Sequence, residues 1–305
     1  MNKRIGSFCV LFLTVFVLTA QDTIIPLWNK KIPNYKKTKE KELKTKSEIL
    51  IISYVQEPTI EVYLPTKANA NGKAMLIFPG GAYHVLAYDW EGTDIAKFLN
   101  SKGIVGIVVK YRLPNSKSLT NQYNVPLQDA QRAMRLARAN AEKWNIASDK
   151  IGIIGFSAGG HLASTLGTHF DEKVYEPQED IDALSARPDF MALIYPVITL
   201  QDNFTHEGSK DALLGDNPSE EMVKHFSNEL QVKENTPPTI LVHATDDNAV
   251  PVENSLLFYR ALKEKNIPAT LFVYPNGGHG FSLGLKNEFL KDWTNQLSNW
   301  LATMN

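Results

Sequence analysis

The stretch IGIIGFSAGGHLAS, residues 151–164, decides the fold of this chain. Its first six residues are apolar or glycine, as in a buried strand, and the residues after Ser157 are small and compatible with a helix. Between these parts lies Gly-Phe-Ser-Ala-Gly, centred on Ser157. A strand-to-helix turn this sharp leaves no space for side chains at the flanking positions, so glycines there allow a strained serine. The motif predicts a nucleophilic Ser157 above a sheet, beside the amino end of the following helix.

Strand-like and helical patterns alternate along the chain. The predicted strands are ILIISYV, TIEVYL, AMLIFPG, IVGIVVKY, KIGIIGF, FMALIYPV, TILVHAT and ATLFVYP, and the last six are continuous apolar runs typical of strands covered on both faces. The predicted helices are DIAKFLNSKG, PLQDAQRAMRLARANAEKW, AGGHLASTLGTH and VENSLLFYRALKEK. Pro126 and Pro251 stand where two of these helices begin. This alternation predicts an α/β protein with one mostly parallel central sheet of about eight strands, flanked by helices.

The first twenty residues differ in composition from the rest. Two basic residues precede an apolar run over 5–18, and small residues follow up to Ala20. This pattern predicts a signal peptide over 1–20, and therefore a periplasmic or secreted protein. The run is shorter than the roughly 20 residues of a membrane span, so an uncleaved anchor is the weaker alternative and we expect no integral membrane span. The single cysteine, Cys9, falls inside this segment, which excludes disulfides and a thiol nucleophile from the mature chain.

The charge pattern narrows the class of partner. The formal net charge is −1, and it becomes −3 once Lys3 and Arg4 are removed with the signal peptide, so we expect no nucleic-acid partner. The local exception is KKIPNYKKTKEKELKTK, residues 30–46, with eight lysines and two glutamates. These lysines could touch an anionic surface, but they lack apolar periodicity. We therefore predict that residues 21–48 form a Lys-rich N-terminal arm that faces water.

The remaining residues, 49–305, form the predicted catalytic domain, which contains one long irregular piece. Residues 199–238 lie between two predicted strands and include short helix candidates at 211–214 and 220–226. Such an insertion would lie over the carboxyl ends of the strands, where α/β proteins bind ligands. The sequence leaves two interpretations open, a cap over the site and a passive surface excursion.

A serine hydroxyl becomes a strong nucleophile only beside a base, which is usually held by a carboxylate. Among the seven histidines, His279 is the best candidate base, because it follows the last predicted strand in the glycine-rich loop YPNGGHGFSLG. The carboxylate is expected between nucleophile and base, after a strand end, where LVHATDDNAVP offers Asp246 and Asp247. The histidines fall in no spacing typical of metal ligands, so neither a metal nor a cofactor is expected.

The loop after the third predicted strand, in IFPGGAYHVLAYDWEG, is a candidate oxyanion hole. The backbone N–H groups of Gly81 and Ala82 would act together with that of Ala158. A tight turn that needs glycine only for its shape is the alternative. Several ring-bearing side chains of this loop could bind a sugar face or a feruloyl ring, or could equally be core residues. They are Tyr83, His84, Tyr88 and Trp90.

Together these segments resemble the α/β-hydrolase superfamily, and more narrowly the secreted bacterial acetyl xylan esterases and related feruloyl esterases. The similar segments, from about residue 25 to about residue 300, are FPGGAYHVLAYDWEG, VVKYRLP, PLQDAQRAMRLAR, IGIIGFSAGGHLASTLGTHF, RPDFMALIYPVITL, FSNELQV, TPPTILVHATDDNAVPVENSLLFYRAL and VYPNGGHGF. The resemblance implies that Ser157 is the nucleophile and that His279 shuttles the proton. It also implies that Asp247 orients the imidazole, since Asp247 stands three residues before Val250 as in the Asp-x-x-Val of relatives. One departure is Ala82, where many relatives have a third glycine.

The resemblance further implies an activity and a substrate. The expected enzyme is a secreted serine esterase that removes short acyl groups, acetyl first, from hemicellulose such as xylan or its oligosaccharides. A feruloyl esterase and a general short-chain carboxylesterase are the alternatives. A serine peptidase of the prolyl-oligopeptidase type would normally carry a large N-terminal propeller, and an inactive binding module would lack a member of the triad. An acylated carbohydrate is the expected partner, and the sequence does not indicate the oligomeric state.

Overall fold

The computed structural model describes residues 23–201 and 203–304, so the predicted signal peptide over 1–20 lies outside the described residues. The strands are β1 (Thr23–Pro26), β2 (Leu43–Lys46), β3 (Leu50–Ser53), β4 (Thr59–Tyr63), β5 (Ala74–Phe78), β6 (Val85–Ala87), β7 (Val105–Lys110), β8 (Ile151–Phe156), β9 (Met191–Ile194), β10 (Thr239–Ala244) and β11 (Ala269–Tyr274). The α-helices are α1 (Asp94–Ser101), α2 (Val125–Ala139), α3 (Ser157–His169), α4 (Glu207–Leu214), α5 (Glu220–His225), α6 (Glu253–Glu264) and α7 (Trp293–Thr303). A short π-helix covers Asp89–Thr93, and 3₁₀ turns cover Asp180–Ala183 and Asn228–Leu230.

The central sheet has eight strands in the order β1-β4-β7-β5-β8-β9-β10-β11. From β7 to β11 all neighbours are parallel, whereas β4 is antiparallel to both β1 and β7. Strands β5, β7, β8, β9 and β10 are buried along their whole length, as their continuous apolar sequences predict. These observations confirm the predicted fold class. They also bring the carboxyl ends of β5, β8 and β10 to one edge of the sheet.

Two strands differ from the sequence-based expectation in their surroundings. The segment ILIISYV forms β3, but β3 pairs with β2 and β6 in a separate three-stranded antiparallel sheet. Strand β11 is only half-buried, because it is the last strand of the central sheet and lacks a neighbour on one side. The hydrophobic pattern of a segment predicts that it forms a strand, but it does not predict which sheet the strand joins.

Helices cover the central sheet, with α1 against β7, α3 against β8 and β9, and α2 against α3. Pro126 lies in the first turn of α2, and Pro251 comes directly before the N-cap of α6, as the sequence indicates. Helix α7 was not predicted, although Trp293, Leu297 and Leu301 recur at intervals of four residues and are all buried. No helix in the described ranges has the length and apolar character that a membrane span requires.

The Lys-rich segment is part of the folded body. Its eight lysines are all exposed, as expected, but strand β1 forms one edge of the central sheet and β2 belongs to the small sheet. The indole Nε1 of Trp28 donates to Asp129 on α2 over 2.8 Å, inside a buried environment. The folded domain of the structure therefore starts well before residue 49, where the sequence suggested that it begins.

Candidate active site

The site is built around the turn between β8 and α3. Ser157 is the first residue of α3 and has a φ of 51°, a left-handed conformation that is unusual for a residue with a side chain. The flanking glycines have no space for a side chain. A Cβ on Gly155 would lie 2.3 Å from the carbonyl oxygen of Gly159, and one on Gly159 would lie 2.1 Å from that of Phe78. The two glycines therefore allow the strained turn that presents Ser157.

A chain of hydrogen bonds connects three residues from three loops. His279, after β11, has its Nε2 2.8 Å from the Oγ of Ser157 and its Nδ1 2.7 Å from Oδ2 of Asp247, after β10. Because a carboxylate only accepts, Nδ1 carries the proton, and Nε2 accepts from the serine hydroxyl. The arrangement is that of a nucleophile, a base and a group that orients the base. The structure thus brings together the three residues that the sequence singled out.

Groups other than His279 also bind the carboxylate of Asp247. Its Oδ1 accepts from the N–H groups of Ala249 and Val250, at 3.0 and 2.9 Å. The buried His243 places its Nε2 3.4 Å from Oδ2, while the same nitrogen donates to the carbonyl of Val250 at 2.9 Å. Burial alone would raise the pKa of Asp247, but the hydrogen bonds from His243, His279 and Val250 outweigh it and hold that pKa well below its usual range. The carboxylate therefore stays ionised beside the imidazole.

The neighbouring Asp246 has a different task. Its Oδ1 accepts from the backbone N–H groups of Gly277 and Gly278, at 2.8 and 2.7 Å. These glycines come directly before His279, so Asp246 fixes the loop that presents the imidazole. Of the two candidate carboxylates that the sequence offers, Asp246 therefore supports the backbone of the His279 loop, and Asp247 contacts the imidazole.

The loop after β5 lies against the nucleophile. A Cβ on Gly80 would approach the Cβ of Ser157 to 3.0 Å, so the loop packs directly on the serine. Gly81 and Ala82 have positive φ angles of 133° and 54°, and within the described part of the chain no protein group accepts from their N–H groups. The N–H of Ala158, at the start of α3, is also without a partner inside its helix. These three N–H groups are therefore free to donate, and the loop that carries two of them packs on Ser157.

The ring-bearing residues of this loop separate into two groups. Tyr83 is only 1% exposed, and its hydroxyl is 2.8 Å from Nδ1 of His161, so its side chain offers no surface to a ligand in this conformation. Tyr88 is also buried, with its hydroxyl donating to Glu61. His84 is exposed, and Trp90 is 38% exposed. Only the last two remain available to a substrate.

Trp90 is fixed beside the proposed base. Its Nε1 donates to the carbonyl of Gly280 over 2.8 Å, and its own carbonyl accepts from the hydroxyl of Ser282. Both partners belong to the loop that carries His279. A cavity of about 320 Å³ adjoins this loop and is lined by Trp90, Phe281, Leu283 and Leu285, among others. The indole is therefore a held, partly exposed platform next to an apolar recess.

Glu91 is a buried carboxylate near the site that sequence reasoning missed. Its Oε2 accepts from the N–H of Gly80, and its Oε1 accepts from the hydroxyl of Tyr195, both at 2.8 Å. The Tyr195 hydroxyl in turn accepts from the N–H of Ser282, and its ring lies 5.1 Å from the His279 ring. Burial raises the pKa of Glu91, and the bonds from Tyr195 and Gly80 reduce this shift. Glu91 therefore links the loop after β5 to the loop of His279.

The insertion over 199–238 supplies one further group. His206 is the N-cap of α4 and holds the hydroxyl of Ser209 at 2.8 Å from its Nδ1. Burial lowers the pKa of His206. A hydrogen bond also connects the insertion to the nucleophile helix, since Nε2 of His161 on α3 donates to the carbonyl of Phe226 over 2.8 Å. Part of the insertion thus packs against the helix that begins at Ser157.

Two curated proteins are similar to this chain over most of its length. The endo-1,4-beta-xylanase B of Butyrivibrio fibrisolvens is 39% identical over 242 residues, which are 79% of this chain and 37% of that protein. The acetylxylan esterase of Xylanibacter ruminicola is 34% identical over 240 residues, which are 77% of this chain and 46% of that protein. The chain therefore spans less than half the length of these two curated relatives.

A solved structure covers more of the chain. The acetyl ester-xyloside bifunctional hydrolase from Caldicellulosiruptor lactoaceticus superposes with a TM-score of 0.80 at 37% identity, over 94% of this chain and 98% of that one. The sequence also matches the family BD-FAE over residues 60–262. This match runs from the second strand of the central sheet to α6 and includes Ser157 and Asp247. Since it covers most of the chain, the protein belongs to the BD-FAE family.

Proposed function

We propose that this chain is a serine esterase that removes acetyl and other short acyl groups from hemicellulose such as xylan, or from its oligosaccharides. The observation that carries the proposal is the hydrogen-bonded series Ser157, His279 and Asp247, placed beside the free N–H groups of the loop after β5. The names of two relatives support the substrate class, since one is an acetylxylan esterase and the other an acetyl ester-xyloside hydrolase.

In the first half of the reaction the acyl group moves to the enzyme. The Oγ of Ser157 attacks the ester carbonyl carbon while Nε2 of His279 takes the hydroxyl proton. The N–H groups of Gly81, Ala82 and Ala158 hold the oxyanion that forms. When the carbon–oxygen bond to the sugar breaks, His279 gives its proton to the sugar oxygen. The products of this half are the free sugar hydroxyl and an acyl ester of Ser157.

In the second half water releases the acyl group. A water molecule gives a proton to His279 and attacks the acyl carbon, and the second oxyanion occupies the same N–H groups. The bond to the Ser157 Oγ breaks, the serine regains its proton, and acetate leaves. Throughout, the ionised Asp247 stabilises the imidazolium, which its low pKa supports. The cycle needs no cofactor or metal ion.

The site also offers a place for a sugar. A sugar presents apolar C–H faces that pack on aromatic rings, and Trp90 is a fixed, partly exposed indole next to the His279 loop. We propose that Trp90 contacts the sugar or the acyl group of the substrate, with His84 at the rim of the same loop. Residues 199–238 form a cap in this proposal, which is supported by the hydrogen bond from His161, on the helix that begins at Ser157, to the carbonyl of Phe226 in the insertion.

The decisive experiment measures which acid the enzyme releases. With acetylated xylan and feruloylated arabinoxylan supplied separately, we expect acetate to be released much faster than ferulate. A Ser157→Ala variant should be folded and release neither, and a fluorophosphonate probe should label Ser157 in the native protein alone. Faster ferulate release would favour the feruloyl esterase alternative, and labelling of another serine would exclude the proposed nucleophile.

We also propose that the chain is exported, because residues 1–20 combine two basic residues with an apolar run and small residues before Gln21. Expression of the full chain in a bacterium followed by N-terminal sequencing tests this. The exported protein should begin at Gln21. A protein that retains Met1 in the cell would contradict the proposal without affecting the esterase chemistry.

A further inference from the structure

We propose that His169, Glu172 and His225 form a binding site for a zinc-type divalent metal ion, which joins the end of the nucleophile helix α3 to the insertion over 199–238. His169 is the last residue of α3, Glu172 lies in the turn after it, and His225 is the last residue of α5. One ligand atom from each residue can be chosen so that all lie within 4.8 Å of one another. This inference goes beyond the proposed esterase activity and does not depend on it.

The first observation is an unpartnered imidazole nitrogen. His169 is only 4% exposed, and its Nδ1 faces the hydroxyl of Thr168 at 2.8 Å and the carbonyl of Thr165 at 3.3 Å. Since a carbonyl only accepts, these contacts favour the proton on Nδ1 and leave a lone pair on Nε2. That Nε2 is buried and has no hydrogen-bond partner among the described residues. A metal-bound histidine usually has this arrangement, with the other ring nitrogen donating to a carbonyl or similar group.

The second observation is the pair of side chains beside this nitrogen. Oε1 of Glu172 is 3.5 Å from Nε2 of His225, and Oε2 of Glu172 is buried without a hydrogen-bond partner in the part of the chain that the structure describes. The rings of His169 and His225 are 4.7 Å apart between centroids. Two imidazoles and one carboxylate are a ligand set that zinc accepts, with water in a fourth position.

The dimensions fit after a small adjustment. Zinc–ligand bonds of roughly 2.0–2.2 Å place tetrahedral ligand atoms about 3.3–3.5 Å apart. The Glu172–His225 separation of 3.5 Å meets this value, whereas the widest separation, within 4.8 Å, must shorten. Glu172 and His225 retain side-chain exposures of 40% and 36%, so both can move inward and a metal can reach them from solvent. His169, the buried member, can stay where it is.

A lysine of the insertion does not compete with a metal ion for Glu172. The ammonium of Lys233 is 3.1 Å from the carboxylate of Asp171 and is therefore already paired. The Nδ1 contacts of His169 leave the lone pair of its Nε2 available for a metal ion, and Glu172 contributes a carboxylate.

The position of the site indicates a role in holding the insertion. Twelve residues of helix separate Ser157 from His169, or about 18 Å at 1.5 Å per residue, so a metal here cannot touch the reacting atoms. Asn228 already connects the insertion to the same helix through the hydroxyls of Ser164 and Thr165, at 2.7 and 3.0 Å. A metal would add a second connection at the far end of α3.

The test is binding of Zn²⁺ to the full mature chain after treatment with a chelator. Calorimetric titration should give about one Zn²⁺ per chain, and Zn²⁺ should raise the melting temperature, with Co²⁺ giving the visible absorption of a tetrahedral site. His225→Ala should weaken Zn²⁺ binding by about 100-fold or more, and Glu172→Gln should weaken it too. The matched control is His206→Ala, which removes another histidine of the same insertion and should bind Zn²⁺ like the native chain.

Two outcomes would overturn the proposal. The first is that the native chain binds Zn²⁺ with a Kd weaker than micromolar. The second is that the His225→Ala variant binds Zn²⁺ as tightly as the His206→Ala variant does. His225 is partly exposed at a helix end, so its variant should fold even if a variant of the buried His169 does not. Zn²⁺ binding and melting are measured without an ester. A negative result for the metal site therefore does not contradict the proposed esterase activity, and a chain without esterase activity could still bind Zn²⁺.

Discussion

At the scale of single residues, two adjacent aspartates have different partners and should fail differently. The carboxylate of Asp247 accepts from Nδ1 of His279. The carboxylate of Asp246 instead accepts from the backbone N–H groups of Gly277 and Gly278, directly before His279. Asp247→Asn should lower kcat by on the order of 10⁴ near neutral pH, because an amide at this position favours the wrong imidazole tautomer. Asp246→Asn should keep much of the activity and lose about 0.5–2 kcal/mol of unfolding free energy.

Steady-state kinetics with an acetyl ester and urea denaturation of both variants measure the difference. A larger loss of kcat in Asp246→Asn than in Asp247→Asn would exchange the two assignments, while Ser157 and His279 would keep theirs.

Glu91 offers a second prediction at this scale, because it acts through Gly80 and Tyr195. Glu91→Gln replaces one accepting oxygen by an NH₂ group. Toward Gly80 this group would face another donor, and toward Tyr195 it would leave the tyrosine hydroxyl without an acceptor for its own proton. The loop of the oxyanion donors should shift, and kcat should fall by roughly 10- to 100-fold, with KM nearly unchanged. A change in stability alone, with kcat intact, would reduce Glu91 to a structural residue.

The matched control is Asp182→Asn. Asp182 is also a buried carboxylate that accepts from a tyrosine hydroxyl and a backbone N–H, those of Tyr175 and Gln178, but neither partner belongs to the loop after β5 or to the loop of His279. We expect its variant to change stability and leave kcat within about twofold of the native value, since a rate change requires a change at the reacting atoms.

Sequence patterns locate residues whose signal is local. Ser157 lies inside a pentapeptide that only a sharp strand-to-helix turn explains, and His279 lies in a glycine-rich loop after the last strand. Glu91 has no such signal, because its partners Gly80 and Tyr195 are 11 and 104 residues away. For Tyr83 the sequence predicted a role that the structure does not support. Its position in the loop suggested contact with a substrate, but its side chain is buried and its hydroxyl contacts His161.

At the scale of elements, all eight strand-like runs form strands, because short runs rich in apolar and β-branched residues fit the buried positions of a sheet. The order of the strands in the sheet depends on pairing between residues far apart in the sequence, and no short sequence pattern predicts it. Strand β1 has the sequence TIIP and is exposed at every residue except Ile25, so it carries little strand signal of its own, yet it completes the edge of the sheet beside β4.

Helix α3 gives a prediction on pH dependence through His161. Its Nε2 donates to the carbonyl of Phe226, in the insertion, and its Nδ1 accepts from Tyr83, in the loop after β5. Burial lowers the pKa of His161 to about 4 from an unfolded value of 6.5. The unfolded chain therefore binds the proton first, and stability is present above pH 6.5 and lost as the pH falls through about 4. The loss should reach on the order of 3 kcal/mol, since one pKa unit is worth about 1.4 kcal/mol.

Urea denaturation at several pH values between 7.5 and 4.5 measures this effect against His161→Phe. The variant loses two hydrogen bonds at every pH and starts less stable, but its free energy of unfolding should depend less steeply on pH. Parallel pH curves for the two proteins would show that His161 is not the titrating group.

At the scale of the whole molecule, the described segment before residue 49 packs on the folded domain instead of extending into solvent. The carbonyl of Leu27 accepts from Arg132 of α2 at 2.7 Å, and the guanidinium of Arg132 lies 5.3 Å from the centre of the Trp28 ring. Asp129, the acceptor of the Trp28 indole, is also bound by two nitrogens of the fully buried Arg112. Lysine-rich composition predicted exposure of the lysines correctly and concealed the two apolar residues that anchor the segment.

Trp28 decides between an anchored segment and a solvated arm. Trp28→Ala should lower the unfolding free energy by about 3–5 kcal/mol, the usual cost of removing a large buried aromatic side chain. Trp28→Phe keeps most of the ring contact with Tyr175 and loses only the bond to Asp129, so it should cost about 1 kcal/mol. Ester hydrolysis by the folded fraction should be the same in both variants, because none of these contacts involves Ser157 or His279. If Trp28→Ala instead unfolds within about 0.5 kcal/mol of the native chain, as surface substitutions do, the segment contributes nothing to the fold and the arm suggested by its composition is the correct description.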